Sequence, residues 1–112
     1  MFKKTNRLAK SADVKRALAR GRSFFNPFFT IKFLSSNATT PRFTVVTSTK
    51  VSKKAVRRNQ LKRLARELLR LNIPRLKPGD YAVIVKPAAG KAEKVLLKDK
   101  LLELLKASKL IL

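Results

Sequence analysis

Cysteine and histidine are both missing from this sequence of 112 residues. Without cysteine there is no disulfide scaffold and no thiolate-held metal. Without histidine the usual general base, the Ser-His-Asp arrangement and the His-ligated zinc sites are gone. Acidic side chains are scarce, and Asp13, Glu67, Asp80, Glu93, Asp99 and Glu103 are all there are. They fall on different predicted elements, whereas metal-assisted phosphodiester hydrolysis needs carboxylates converging on one or two divalent ions. With only three glycines there is no Gly-rich phosphate loop and no Gly-Lys-Ser/Thr string. Long apolar runs are also lacking: none approaches the roughly 18 residues of a membrane span. The basic start, Met1 to Arg7, is not followed by the apolar core of a signal peptide. The expectation is a cytoplasmic protein, off the membrane, with little enzyme chemistry of its own.

What is present in excess is positive charge. Lys and Arg number 28 against six acids, a net charge of +22, while the apolar fraction is an ordinary 45%. The length suits one domain spanning 1–112, large enough to bury about two-thirds of its unfolded surface. Such a charge repels itself and calls for a polyanion. Its distribution is uneven. Residues 1–22 hold eight bases and one acid, and residues 50–79 hold eleven bases and one acid. The stretch 80–112 mixes signs, as an ordinary helix surface does.

The pattern predicts helix, two or three strands, long helix, strand, helix. Ser11 is placed as the cap of a first helix, with Val14, Ala17 and Leu18 at helical spacing and Gly21 as its stop. A short extended piece at Ser23-Phe24-Phe25 is interrupted by Asn26-Pro27. Phe28 to Leu34 then alternates, with Phe29, Ile31 and Phe33 on one face and Thr30 and Lys32 on the other. After a polar loop over Ser35 to Pro41, Arg42 to Thr49 alternates again. Ser52 is placed as the cap of a helix running to about Leu71, which Pro74, Pro78 and Gly79 end. Tyr81 to Lys86 is a Val/Ile-rich strand, and Gly90 precedes a Leu-rich helix. A strand, helix, strand passage of this length implies a parallel pairing beside an antiparallel hairpin. The class is therefore α+β, one α-β sandwich with helices on a small mixed sheet. Leu97, Leu101, Leu104 and Leu105 sit at core spacing, so the last helix is read as packed on that sheet rather than on a membrane surface.

The long helix is the most informative segment. At about 100° per residue, Leu61, Leu64, Ala65, Leu68, Leu71 and Asn72 form a core stripe. The opposite side takes Asn59, Arg63, Arg66 and Arg70, with Lys62 on the flank and Arg58 at the core edge. Glu67 is the helix's one acid. A solvated helix normally alternates Glu with Lys; here like charges stack four residues apart, which is unfavourable unless phosphates lie over them. Guanidinium groups hold phosphates bidentately. A nucleic-acid contact follows from this face.

Ala55-Val56-Arg57-Arg58-Asn59-Gln60-Leu61-Lys62-Arg63-Leu64-Ala65-Arg66-Glu67 resembles the Ala-Val-x-Arg-Asn-x-x-Lys-Arg-x-x-Arg-Glu signature of the bacterial ribonuclease P protein subunit. Asn6-Arg7-Leu8, Asp13 to Gly21, the tandem strands, Asp80-Tyr81 and the final helix correspond as well, so the resemblance spans nearly the whole chain. It implies the order αβββαβα in a ribosomal protein S5 domain 2-like fold with a left-handed βαβ crossover. It also implies partnership with a large catalytic RNA, the ribonuclease P RNA, that removes the 5′ leader from precursor transfer RNA, with the magnesium ions bound mainly by the RNA. DNA is not an expected partner. By the same resemblance Lys54, Arg57, Arg58, Asn59, Lys62, Arg63, Arg66 and Arg70 face the catalytic RNA.

The resemblance further implies a cleft between the first helix and the sheet that holds the single-stranded leader. Its residues here are Arg7, Val14, Lys15, Leu18, Lys32 and Arg42. The chain departs from the family at this place: Val14 and Leu18 stand where Phe is common, Lys32 where an aromatic often stands, and Lys53 where a Gly usually precedes Ala-Val. Leader binding with less stacking is the expectation. The cluster Phe24, Phe25, Phe28, Phe29 is read as core packing rather than as a replacement platform. A structural RNA-binding protein of ribosomal type is the alternative, and it has no need of the ordered string around Asn59.

Overall fold

The computed structural model describes residues 6–36 and 39–111. The first five residues of the basic start and the middle of the polar loop, 37–38, lie outside them. The elements are α1 (Ser11–Arg20), β1 (Arg22–Phe25), β2 (Phe29–Leu34), β3 (Arg42–Val46), α2 (Ala55–Leu71), β4 (Asp80–Val85) and α3 (Lys94–Ala107). Two short 3₁₀ turns, Ile73–Arg75 and Pro87–Lys91, flank β4. This is the expected αβββαβα order in an α+β fold.

The sheet runs β1-β2-β4-β3. β1 and β2 form the antiparallel hairpin; β2 pairs antiparallel and β3 parallel with β4. Asn26 makes the hairpin turn. Its side-chain oxygen accepts the N–H groups of Phe28 and Phe29 at 2.9 and 2.8 Å, and its own N–H donates to the Phe29 carbonyl. That is the local bonding that suits Asn to turns. The alternation in β2 and β3 sorts as expected: Phe29, Ile31, Phe33, Phe43 and Val45 are buried together with Tyr81, Val83 and Val85 of β4.

β3 stops at Val46, three residues before the predicted end. Its parallel register pairs Val46 with Ile84, and β4 ends one residue later, ahead of Pro87. Proline has no N–H to extend a ladder, so Thr47 to Thr49 have no strand to lie against. The chain turns instead, with Val51 N–H bonded to the Ser48 carbonyl.

α2 and α3 cover the face of the sheet that carries Phe29 and Tyr81. Tyr81 is fully buried between Phe33 and Phe43, with ring centroids 4.9 and 5.1 Å away, and its hydroxyl donates to the Lys77 carbonyl. Burial pushes its phenol well above the ordinary value of 10.0. The buried stripe of α2 is Leu61, Leu64, Ala65 and Leu69. Leu68 is half-buried and Leu71 is 64% exposed, so the predicted stripe is rotated. Leu69 and Leu71 lie about 80° to either side of Leu61. α3 packs along the Leu69 side, and the helix turns that way to bury the extra leucine.

Neither expected serine cap forms. Ser11 is the first helical residue of α1, and the N-cap position is Lys10. α2 begins at Ala55 with Lys54 at its N-cap, while the Ser52 hydroxyl accepts the Lys54 N–H in a turn ahead of the helix. Gly21 does end α1, by close approach rather than by left-handed geometry. Its φ is −65°, and a Cβ there would lie 2.4 Å from the Ala17 carbonyl oxygen.

α1 lies on the other face of the sheet, over β2 and β4. Leu8, Ala17 and Ala82 form a second small core, with Val14, Leu18 and Leu34 around it. Ahead of α1, Asn6 donates to the Pro41 carbonyl at 2.8 Å, and Leu8 N–H to the Phe43 carbonyl. These bonds lay the segment before α1 along the outer edge of β3. α1 thus covers one end of this sheet face and leaves the other end open.

Candidate nucleic-acid interface

Because Leu61, Leu64, Ala65 and Leu69 face the sheet and α3, the opposite side of α2 faces solvent. Asn59, Arg63 and Arg66 are exposed there and Lys62 is half-buried. Among the described residues none of these four side chains makes a hydrogen bond or ion pair. Three other cations of the predicted RNA face, Arg57, Arg58 and Arg70, are engaged. Arg57 donates from Nε to the Gly90 carbonyl at 3.0 Å and from Nη2 to the Ala92 carbonyl at 2.8 Å. It ties the start of α2 to the turn before α3. Gly90 allows this close seating, since a Cβ there would meet the Val51 carbonyl oxygen at 2.1 Å. Arg58 donates to the Ser52 carbonyl at 2.8 Å, closing the turn that leads into the helix.

Arg70 pairs with Glu67, and this pairing lowers the pKa of the carboxylate and raises that of the guanidinium. Glu67 is also four residues beyond Arg63, but its carboxylate is turned to Arg70 and leaves Arg63 unneutralised. Lys54 is exposed at the N-cap, and the first turn of α2 carries no acid and no side-chain cap. The unneutralised set is therefore narrower than the sequence implied: Lys54, Lys62, Arg63 and Arg66, with Asn59 among them to supply a hydrogen-bonding amide.

The second predicted surface is the sheet face under α1. Lys15 is exposed on α1, Arg7 is exposed at the edge of β3, and half-buried Lys32 lies on the strand beneath. Val14 and Leu18 pack against the Leu8-Ala17-Ala82 core, so they form an aliphatic wall of this cleft. Arg42 is committed elsewhere. It donates from Nε and Nη2 to the two oxygens of Asp80, each at 2.8 Å, and its Nη1 lies 3.6 Å from Asp13. Asp80 is only 2% exposed, and the bond to it raises the pKa of Arg42. This ion cluster joins β3, β4 and α1 at the closed end of the cleft.

The four clustered phenylalanines separate. Phe29 is in the core and Phe24 and Phe28 pack against it, as expected, but Phe25 is 70% exposed on the opposite sheet face, the face of Lys32. Lys86, which no motif marked, stands beside it with Nζ 5.3 Å from the ring centroid. The alternation in Ser23-Phe24-Phe25 was the available signal, because adjacent strand residues point to opposite faces. The acids do not converge: Asp13 and Asp80 share Arg42, Glu67 holds Arg70, and Glu103 pairs with Lys100. Among the described residues no three of these acids come together as a metal-ligating group.

Comparison with known proteins gives one answer. The family model described as Ribonuclease P matches residues 2–109. The Ribonuclease P protein component of an Exiguobacterium strain is 39% identical over 90 residues, covering 80% of this chain and 78% of the relative. That of Xanthomonas oryzae pv. oryzae is 30% identical over 105 residues, covering 94% and 72%. Among solved structures, the RNase P protein of Staphylococcus aureus superimposes with a TM-score of 0.88 at 26% identity, covering 96% of this chain and 98% of that one. The Thermotoga maritima RNase P protein, solved with a fluorophenyl thiourea, gives 0.81 at 31% identity, covering 89% and 97%.

Proposed function

This chain belongs to the ribonuclease P protein family, and from that premise we propose a division of labour in which the RNA does the chemistry and this protein holds RNA in place. Membership also sets aside the ribosomal-type alternative. The observation that carries the proposal is the α2 face. A helix buried along one side presents Asn59, Lys62, Arg63 and Arg66 on the other with no protein partner among the described residues. Like charges stacked this way become favourable when phosphates lie over them, and each neutralised phosphate releases counterions. This face meets the ribonuclease P RNA. Arg63 and Arg66 grip phosphates through their guanidinium forks and Lys62 acts as a point charge. Arg57 and Arg58 position the helix rather than touch RNA.

The cleft between α1 and the sheet takes the 5′ leader of precursor transfer RNA. Lys15, Lys32 and Arg7 supply charge along it, and Val14 and Leu18 an apolar wall. Arg42 holds α1 to the sheet through Asp13 and Asp80. Cleavage of the leader bond and the magnesium ions belong to the RNA, and the cytoplasm, where transfer RNA is processed, is the place of work. By neutralising phosphates the protein lowers the cation concentration at which the two RNAs associate.

Reconstitution tests this reading: leader cleavage by a bacterial ribonuclease P RNA at low magnesium, with and without the protein. Stimulation that fades as magnesium is raised is the expected result. Cleavage unaffected by the protein at every magnesium concentration refutes the proposal.

A further inference from the structure

We propose that Phe25, with Lys86 beside it, is a base-stacking platform at the open end of the cleft, taking an unpaired leader base that α1 does not reach. The inference rests on the leader-cleft reading and adds a residue and a position to it.

The sheet register supplies the geometry. Phe25 pairs with Thr30, Thr30 with Ile84, and Ile84 with Val46, so these four form one row across the sheet. Leu34, against which α1 packs, is four residues along β2 from Thr30, about 13 Å at the rise of a strand. Thr30, Ile84 and Val46 are half-buried, forming a shallow floor that α1 leaves uncovered, and Phe25 stands at its edge. An extended single strand running away from α1 along this floor reaches Phe25 with a different nucleotide from those beside Val14 and Leu18.

The chemistry of the pair fits one class of ligand. Lys86 donates from Nζ to the Asn26 carbonyl at 2.9 Å, which holds the ammonium over the Phe25 ring. An ammonium has three donors, so protons remain for a phosphate. An exposed aromatic ring beside a fixed cation, on a sheet that tracks a polyanion, is the composition of single-strand binding platforms. Phe25 is 70% exposed, so core packing does not account for it. The aliphatic Val14 and Leu18 offer no π-face at the α1 end, and Phe25 places one at the other.

The test uses the reconstituted ribonucleoprotein and precursor transfer RNAs whose leaders are shortened one nucleotide at a time. Phe25→Ala is expected to weaken binding of long-leader substrates by about 5- to 150-fold, the range seen when a stacking aromatic is removed. It leaves the shortest leaders unaffected. Phe25→Trp keeps the affinity, and Phe25→Leu, which retains apolar bulk without a π-face, behaves like the alanine variant. A loss equal at every leader length, no loss at any length, or parental binding by Phe25→Leu overturns the platform. Lys32→Ala and Lys15→Ala separate this failure from that of the cleft itself. If they discriminate by leader length while Phe25→Ala does not, only the platform falls; if none of the three does, the cleft reading falls with it.

Discussion

Arg57 and Arg63 occupy the same motif and carry the same charge, yet Arg57 is bonded within the fold and Arg63 is exposed, and exchanging each for alanine tests the different work proposed for them. Arg57 makes two bonds at 3.0 and 2.8 Å to the Gly90 and Ala92 carbonyls, and a third at 3.5 Å to exposed Gln60 that is too long to count. Hydrogen bonds from a charged group contribute about 1.5–3 kcal/mol each when their loss strands a partner. Both acceptors lie near the surface, where water replaces part of what is lost. Arg57→Ala should therefore cost about 1.5–3 kcal/mol in total. For a chain of this size that is a fall in melting temperature of roughly 6–12 °C. Among the described residues Arg63 has no partner, so Arg63→Ala should stay within about 0.5 kcal/mol of the parent. Affinity for ribonuclease P RNA should reverse the order, with Arg63→Ala weaker and Arg57→Ala near the parent once folding is complete. Arg57→Lys keeps the charge but cannot fork to two carbonyls, so its stability should follow that of the alanine variant. Urea titrations and RNA binding, measured well below each melting temperature, give both readouts. An Arg57→Ala protein as stable as the parent that loses RNA affinity as Arg63→Ala does would refute the assignment.

The salt dependence of RNA binding should fall by about 0.7–0.9 in log–log slope for Arg63→Ala, and by the same for Arg66→Ala, if each neutralises one phosphate; unchanged slopes would place phosphates elsewhere. Leu69→Ala should cost about 2–5 kcal/mol because Leu69 is 0% exposed, whereas Leu71→Ala should be close to neutral, and equal costs in denaturant titrations would mean the helix is rotated otherwise. Tyr81 is the protein's one tyrosine, and its phenol is held neutral above the ordinary value of 10.0 by burial. In the unfolded chain it ionises first, so stability declines as pH rises past about 10, by at most about 1.4 kcal/mol per pH unit. Tyr81→Phe should lack that component, and parallel alkaline denaturation curves for the two proteins would contradict it.

The parts of the fold legible in the sequence are those written at short range. Phe29, Ile31 and Phe33 alternate, and Leu97, Leu101, Leu104 and Leu105 repeat at helical spacing; all seven are buried as read. The α2 stripe was legible to within a small rotation, because Leu68, Leu69 and Leu71 differ only in which neighbour they meet, and that neighbour is α3. Partnerships across long separations were not legible. The acceptors of Arg57 are 33 and 35 residues away, and Asp80 is 38 from Arg42. Nothing local marks those arginines as different from Arg63. The resemblance marked α2 as the helix expected to face RNA but could not say which of its cations the protein itself neutralises. Phe25 was legible in principle, through the phase of β1, but its register against Thr30 decides that it shares the sheet face of Lys32.

The sheet order β1-β2-β4-β3 has a consequence for how the protein comes into being. The strand made last is one of the two in the middle, so β2 and β3 have nothing between them until Asp80 to Val85 have been synthesised. Until then the nascent chain carries two open strand edges and a helix whose leucines lack a finished floor, a state prone to wrong pairing. Both surfaces proposed to meet RNA appear together when β4 slots in, since it supplies the floor beneath α1 and the wall behind α2. A nascent chain stopped short of Asp80 already carries the whole arginine motif but neither of the surfaces that give it direction.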